Sequence, residues 1–258
     1  MTEAIASLQN NRVKLVSLLQ SKARIRRKER KIVLEGMRLI GDAVAQKQRP
    51  EFLFYEPQSV DWNFIAKLQN KNMLLIEVTD NVMKHVSDTQ SPQGIIGVFP
   101  IPQPKIPKSA ERVLILDAIS EPGNMGTILR TAGAAGIQVV ILTQGCVDPY
   151  NPKVLRGGMG AHFRIPILEA DWSAIRGYCD DLTVYFATGT GDLAYTDANW
   201  SQAWALVVGN EAHGVSDNAN SLEGVTISIP MASNTESLNA AVATGVILFE
   251  AQRQRLDG

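Results

Sequence analysis

Cysteine is almost missing from this chain. Cys146 and Cys179 are the only two in 258 residues. That is too few for a disulfide framework, and their spacing is not that of a metal site, so no metal is expected. Two buried thiols in a reducing compartment are the expectation. Long apolar runs are also missing, which excludes a membrane span, and the polar first residues lack the apolar core of a secretory signal. The expected place is therefore the cytoplasm. Neither sign of charge prevails: 25 Lys and Arg stand against 26 Asp and Glu. Such a balance does not announce a nucleic-acid binder. Two phosphate-binding signatures are wanting as well. GNEAHG, 209–214, lacks the Gly-Lys-Ser/Thr ending of a P-loop, and no G-x-G-x-x-G opens a helix after a strand. An ordinary nucleotide-binding α/β enzyme is disfavoured on that ground.

What is present is unevenly spread. About a dozen of the cations lie between Arg12 and Arg49, against Glu29, Glu35 and Asp42. Residues 4–19 read as a helix with Ile5, Leu8, Leu15 and Leu18 inward. SKARIRRKERK, 21–31, follows, with Arg24, Arg26, Arg27 and Arg30 among its cations. A charge run is either a solvated face or a phosphate-contacting patch, where counterion release gives affinity. Strands are expected at 32–34, 52–55, 73–78 and 94–99, with helices at 37–46 and 60–69. The spacing predicts a compact α/β domain. Pro100, Pro102, Pro104 and Pro107 then make an extended linker. The boundary falls there, giving a domain of 1–103 and a second of 108–258.

From residue 113 the alternation of apolar strands and amphipathic helices is regular, which predicts a mostly parallel sheet with helices on both faces. Ligand loops of such sheets follow the carboxyl ends of strands. Three polar stretches fall there: EPGNMGTILRTAGAAG at 121–136, LVVGNEAHGVS at 206–216 and IPMASNTESLNAAVATGVILFE at 229–250. In the first, Asn124 is placed to cap a helix starting at Met125, with Thr127 and Arg130 on one face. NPKVLRGGMGA, 151–161, reads as a helix capped by Asn151 with Pro152 at its first position. In the last stretch Ser233 and Glu236 fit a capping box, with Asn234 and Thr235 as rival caps. Leu238, Val242, Gly245 and Phe249 then step along one helix face, read as the core side, with Ala241 and Leu248 beside them.

These three stretches, in this order, resemble the SpoU (TrmH-like) branch of the SPOUT RNA methyltransferases. The stretch from 13 to 98 is similar, more loosely, to the substrate-binding domain that precedes it. The resemblance implies an α/β fold in which the C-terminal helix threads a loop to form a trefoil knot, a rare feature that pattern alone does not support. It implies an enzyme that transfers a methyl group from S-adenosylmethionine to an RNA ribose 2′-hydroxyl, and a homodimer joined through the C-terminal domain. Ribosomal RNA is the expected substrate; transfer RNA, or an inactive RNA-binding assembly factor of this fold, is the alternative. Carried over by motif, the catalytic set is Asn124, Arg130, Glu211, Ser237 and Asn239. The donor would lie against Thr188, Gly189, Gly209, Ile229, Met231 and Leu238. Arg156 is a further RNA candidate beside Arg24, Arg26, Arg27 and Arg30. A guanidinium is too weak an acid to serve as a base, so Arg130 is read as a phosphate clamp and stabiliser of the developing alkoxide. The proton would leave to phosphate, water or Glu211. His85, His162 and His213 are left outside the catalytic set.

Overall fold

The computed structural model describes residues 4–107, 109–232 and 237–257. The chain begins α1 (Asn11–Ser21), α2 (Ala23–Glu29), β1 (Lys31–Glu35), α3 (Met37–Ala45), β2 (Phe52–Tyr55), α4 (Trp62–Gln69), β3 (Leu75–Glu77), α5 (Asp80–Val86) and β4 (Ile95–Pro100). It continues β5 (Arg112–Leu116), α6 (Pro122–Ala134), β6 (Val139–Leu142), α7 (Pro152–Gly158), β7 (Ile167–Glu169), α8 (Trp172–Cys179) and β8 (Thr183–Ala187). It ends β9 (Leu193–Ala194), β10 (Trp204–Val208), β11 (Val225–Ser228) and α9 (Ala240–Asp257). Two compact units result: Met1–Gln103 with Tyr150–Phe163, and Pro104–Pro149 with Arg164–Gly258. One passes into the other within the proline-rich stretch. The segment Tyr150–Phe163 belongs to the first unit, although the sequence boundary assigns it to the second.

The first unit has a four-stranded sheet in the order β1-β4-β2-β3, with β4 antiparallel to both neighbours and β2 parallel to β3. Alternate residues of each strand face opposite sides. Ile32, Leu34, Leu53 and Phe99 meet α3, α4, Leu155 and Phe163; Val33, Phe52, Phe54 and Val98 meet α1 and α5. α1 differs from its expected face. It starts later, where Asn10 accepts a hydrogen bond from the Arg12 backbone N–H at 2.9 Å, and buries Val13, Val16 and Leu19, while Leu18 is exposed. Ile5 pairs with Val78 ahead of the helix. Counting from residue 4 rotated the expected face. α7 starts as expected, with Asn151 accepting from Lys153 N–H at 2.9 Å.

The second unit is a seven-stranded sheet in the order β7-β6-β5-β10-β8-β11-β9, parallel at every pairing. Its central strand β10 is buried at every position, as a strand covered on both faces must be. β9, two residues long, has no sequence pattern to announce it. Burial pushes both thiols, Cys146 and Cys179, up to about 11, so neither is a nucleophile at neutral pH.

α9 lies against α6. The core side expected for it is right only in part. Ala241, Thr244, Ile247, Leu248 and Ala251 are buried, whereas Val242 and Phe249 are 52% and 51% exposed and Leu238 is also exposed. Gly245 also faces α6, where a Cβ would stand in ordinary contact with Thr131 Cγ2 at 3.7 Å. The larger apolar stripe, which sequence reasoning takes for the core, points outward. The capping residues expected at Ser233, Asn234, Thr235 and Glu236 lie outside the described residues.

Candidate active site

Loops after β8, β10 and β11 meet at the carboxyl edge of the parallel sheet, where a strand-end crevice is expected. They enclose a cavity of about 740 Å³, closed on one side by Ala240, Ala243 and Ile247 of α9. Thr188, Gly189, Gly209, Ile229, Met231 and Leu238, the six expected donor contacts, all line it, as do Ser237, Glu211, Asn239 and His213. Gly209 must be glycine: a Cβ there would sit 2.1 Å from the Gly214 carbonyl carbon. The loop between them closes on itself through Asn210 N–H to Gly214 O (2.8 Å) and Gly214 N–H to Asn210 O (2.9 Å). The Asn210 side-chain oxygen accepts from the N–H groups of Ala212 and His213.

This loop presents Glu211. Its carboxylate accepts from Asn124 Nδ2 at 2.8 Å and, at 3.4 Å each, from Ser120 N–H, Ser120 O–H and Glu121 N–H. Asn124 Oδ1 in turn accepts from Asn239 Nδ2 at 3.0 Å. Asn239 Oδ1 accepts from the N–H groups of Ala241 and Val242, capping α9. Three motifs separated by many residues thus share one directed line of hydrogen bonds. Partial burial alone raises the Glu211 carboxyl; the bonds from Asn124 and the backbone at 120–121 outweigh it and hold the group below its ordinary value. Glu211 is therefore an ionised acceptor and a poor proton sink.

Asn124 is not the cap it was expected to be. α6 begins earlier, with Pro122 in its first turn and Glu121 at the cap position making no side-chain bond. That places the Asn124 amide inside the first turn, pointing at Glu211. Arg130 lies further along α6, exposed, and is not among the residues lining the cavity.

Among the RNA candidates, Arg24, Arg27 and Arg30 are exposed on or next to α2. Arg26 is not: it is 3% exposed, and its guanidinium donates to the Leu19 and Gln20 carbonyls at the end of α1. Unpaired carbonyls at a helix end attract a cation, so the sequence assignment of Arg26 to RNA is corrected to a structural one. Arg156 pairs with Asp88 at 2.8 Å and is about one-third exposed. The sequence reading passed over Asp117 and Asn210, which fasten the Glu211 loop. The one signal for the first is a charge closing the apolar strand VLILD.

Residues 111–249 match the family model described as SpoU rRNA Methylase family, and residues 10–97 the MRM3-like substrate binding domain. The chain is 34% identical to "rRNA methyltransferase 3, mitochondrial" of Mus musculus, over 89% of this chain and 69% of that protein. It is 30% identical to the 23S rRNA (guanosine(2553)-2′-O)-methyltransferase of Bacillus subtilis, over 95% of this chain and 97% of that one. Its fold superposes on the SpoU methyltransferase AviRb of Streptomyces viridochromogenes, solved in complex with the cofactor AdoMet, with a TM-score of 0.89, 26% identity and coverage of 97% and 100%. With the family model spanning more than half of its length, the chain belongs to the SpoU rRNA methylase family and is an S-adenosylmethionine-dependent RNA methyltransferase.

Proposed function

We propose that this chain methylates a ribose 2′-hydroxyl of ribosomal RNA, with the chemistry in the second unit and RNA capture in the first. The observation that carries the reading is the hydrogen-bonded line Asn239–Asn124–Glu211, two of whose members line the cavity. The names of the mouse and B. subtilis relatives support ribosomal RNA, and that of the second supports the 2′-oxygen. The match of 10–97 to a substrate-binding domain supports RNA capture.

The cavity suits the donor. Its volume is that of a small-molecule site. Ile229, Leu238 and Ile247 offer apolar walls, and Gly189 and Gly209 bring bare backbone to it. S-adenosylmethionine, when bound, supplies an electrophilic methyl group on a sulfonium. The chain's own residues must then place a ribose hydroxyl and dispose of its proton. Glu211, held ionised, aligns Asn124 and through it Asn239, so the line acts as a rigid polar edge. The hydrogen bonds that hold the Glu211 carboxyl low make it a weaker proton acceptor than an ordinary carboxylate, and the proton leaves to water, to Glu211 or to a neighbouring phosphate. Arg130, exposed on α6, clamps that phosphate and stabilises the alkoxide as it forms.

The exposed apolar residues Leu238, Val242 and Phe249 support a homodimer formed through the second unit, since apolar patches of this kind mark partner surfaces. The family likeness supports a trefoil knot. No helix among the described residues is long and apolar enough to cross a membrane, and the cytoplasm is the proposed place of work.

The test is methyl transfer from labelled donor to ribosomal RNA, followed by mapping of 2′-O-methyl positions. A single labelled ribose is expected. Labelling of transfer RNA alone would move the substrate; RNA binding without transfer would make the chain an assembly factor.

A further inference from the structure

We infer that Asp117 is a positioning residue of the methyl-transfer site: its buried carboxylate latches the Glu211 loop to the sheet, so that Glu211 and the cavity wall are held together. The inference rests on the reading of Glu211 as part of that site.

Asp117 follows β5 and is 2% exposed. Its backbone N–H continues the strand ladder to Val208 O at 2.8 Å, which places it beside the end of β10. Both carboxylate oxygens are used. Oδ1 accepts from the Thr143 hydroxyl at 2.8 Å, and Oδ2 accepts from the Ser216 backbone N–H at 2.7 Å. Thr143, just after β6, is itself buried, and its Oγ1 accepts from Ala118 N–H at 3.1 Å. One carboxylate therefore joins three strand ends: those of β5, β6 and, through the loop, β10.

The loop from 209 to 216 is thus tied at both ends to one point. At its end Ser216 bonds to Asp117. At its start Asn210 Nδ2 donates to Ala118 O at 2.8 Å, the residue next to Asp117. Ala118 has a φ of 55°, a left-handed conformation that alanine adopts at a cost, and one that persists only where its surroundings enforce it. Between the two ties stand Glu211 and the other lining residues of 211–215. A carboxylate removed from water is costly unless every oxygen is paired, and here the pairing is spent on a loop that carries the site. Packing alone would be served by an apolar side chain at this position. Both partners of the Asp117 carboxylate lie outside the cavity lining, so the side chain acts on the site through the loop.

Asparagine can nearly replace it. Its oxygen can accept from Ser216 N–H and its amide can donate to Thr143 Oγ1, whose hydroxyl can turn to Gln144 O at 3.3 Å. Alanine cannot accept from either donor. The experiment compares Asp117→Ala, Asp117→Asn and Thr143→Val, alone and combined with Glu211→Gln, in the full chain. Steady-state kcat and the KM for donor are measured with ribosomal RNA, and hydrogen–deuterium exchange is read at amides 210–216. Asp117→Ala is expected to lower kcat by about tenfold to a hundredfold, the scale of a small misplacement at a reacting centre. Its effect should shrink to under about twofold in the Glu211→Gln background, as for residues acting through one another. Asp117→Asn should restore most of the rate, and Thr143→Val should lie between. Equal factors in both Glu211 backgrounds would overturn the inference, as would unchanged exchange at 210–216 in Asp117→Ala. If Asp117→Ala does not fold, Thr143→Val carries the same two readouts. If the wild-type chain transfers no methyl group, the functional reading falls while the exchange measurement still decides the latch.

Discussion

Glu35 and Glu211 are both carboxylates near the carboxyl end of a strand, one in each unit, and both gather several donors. Glu35 ends β1 and is 6% exposed; it accepts from Ser87 and Thr89 hydroxyls at 2.5 and 2.7 Å and from Asp88 N–H at 3.1 Å. All its donors come from one loop of three residues. Glu211 is exposed, draws donors from α6 and the turn before it, and three of its four bonds are 3.4 Å long. The first carboxylate is a fastener. The second faces a cavity with bonds slack enough to tighten, as catalytic hydrogen bonds in ligand-free proteins often are. The number of donors does not separate the two roles; their length and the access of a ligand do.

The contrast can be broken most sharply at Arg130, a group with no fastening role in view. Arg130→Ala is expected to cost about a hundredfold to a thousandfold in kcat, with unchanged melting temperature and donor affinity; Arg130→Lys should be nearly as poor, because a point charge lacks the planar fork. Near-normal turnover would return Arg130 to the solvated surface. Glu35→Ala should do the reverse. It is expected to cost about 2 kcal/mol of stability, the scale for hydrogen bonds to a buried charge, while kcat per folded molecule holds; denaturant titration beside an activity assay reads both. Neutralising Arg24, Arg27 and Arg30 together should touch neither cluster. It should weaken target and non-target RNA by similar factors. It should also flatten the slope of log affinity on log salt by about 0.7 for each single-strand phosphate no longer neutralised. A weakening confined to the target RNA would mean that α2 reads sequence or shape.

The smallest effect is on pH. Glu211 has its carboxyl held below the ordinary 4.5 in the folded state, so its contribution to stability is full above that value. The contribution fades as pH falls through the lower folded value. Wild-type melting temperature should therefore drop slightly more than that of Glu211→Gln on acidification below 4.5. Parallel curves would show that the bonds to Ser120, Glu121 and Asn124 add nothing.

Much of this was legible in the residues. Strand-forming runs such as WALVV and VLIL declare themselves by composition, and two of the three polar stretches, 206–216 and 229–250, supply residues that line the cavity, while the first gives Asn124 to the line of hydrogen bonds beside it. What escaped has physical causes. The face of α9 was read only in part: Ala241 and Leu248 are buried, while Val242 and Phe249 face outward, because a hydrophobic pattern cannot say whether a stripe meets its own core or stays outside it. Arg26 looked like its neighbours in a run of cations, and only the path of α1 shows which one bends back to the carbonyls of Leu19 and Gln20. Asn124 was displaced from cap to first turn by Pro122, a legitimate first-turn residue. The bonds from Asp117 to Ser216 and from Asn124 to Glu211 span 99 and 87 residues of chain, and no local signal reports a partner that distant.

α9 has two clients. Its inner side gives Ala243 and Ile247 to the cavity, and its outer side holds Val242 and Phe249 up to solvent. Both sides belong to one helix of 18 residues. Should a partner on the outer stripe change the affinity of the cavity for its ligand, that coupling would be reciprocal. If occupancy of the cavity tightens self-association by some factor, self-association must tighten occupancy by the same factor, and dilution alone becomes a means of regulating how firmly the methyl donor is held.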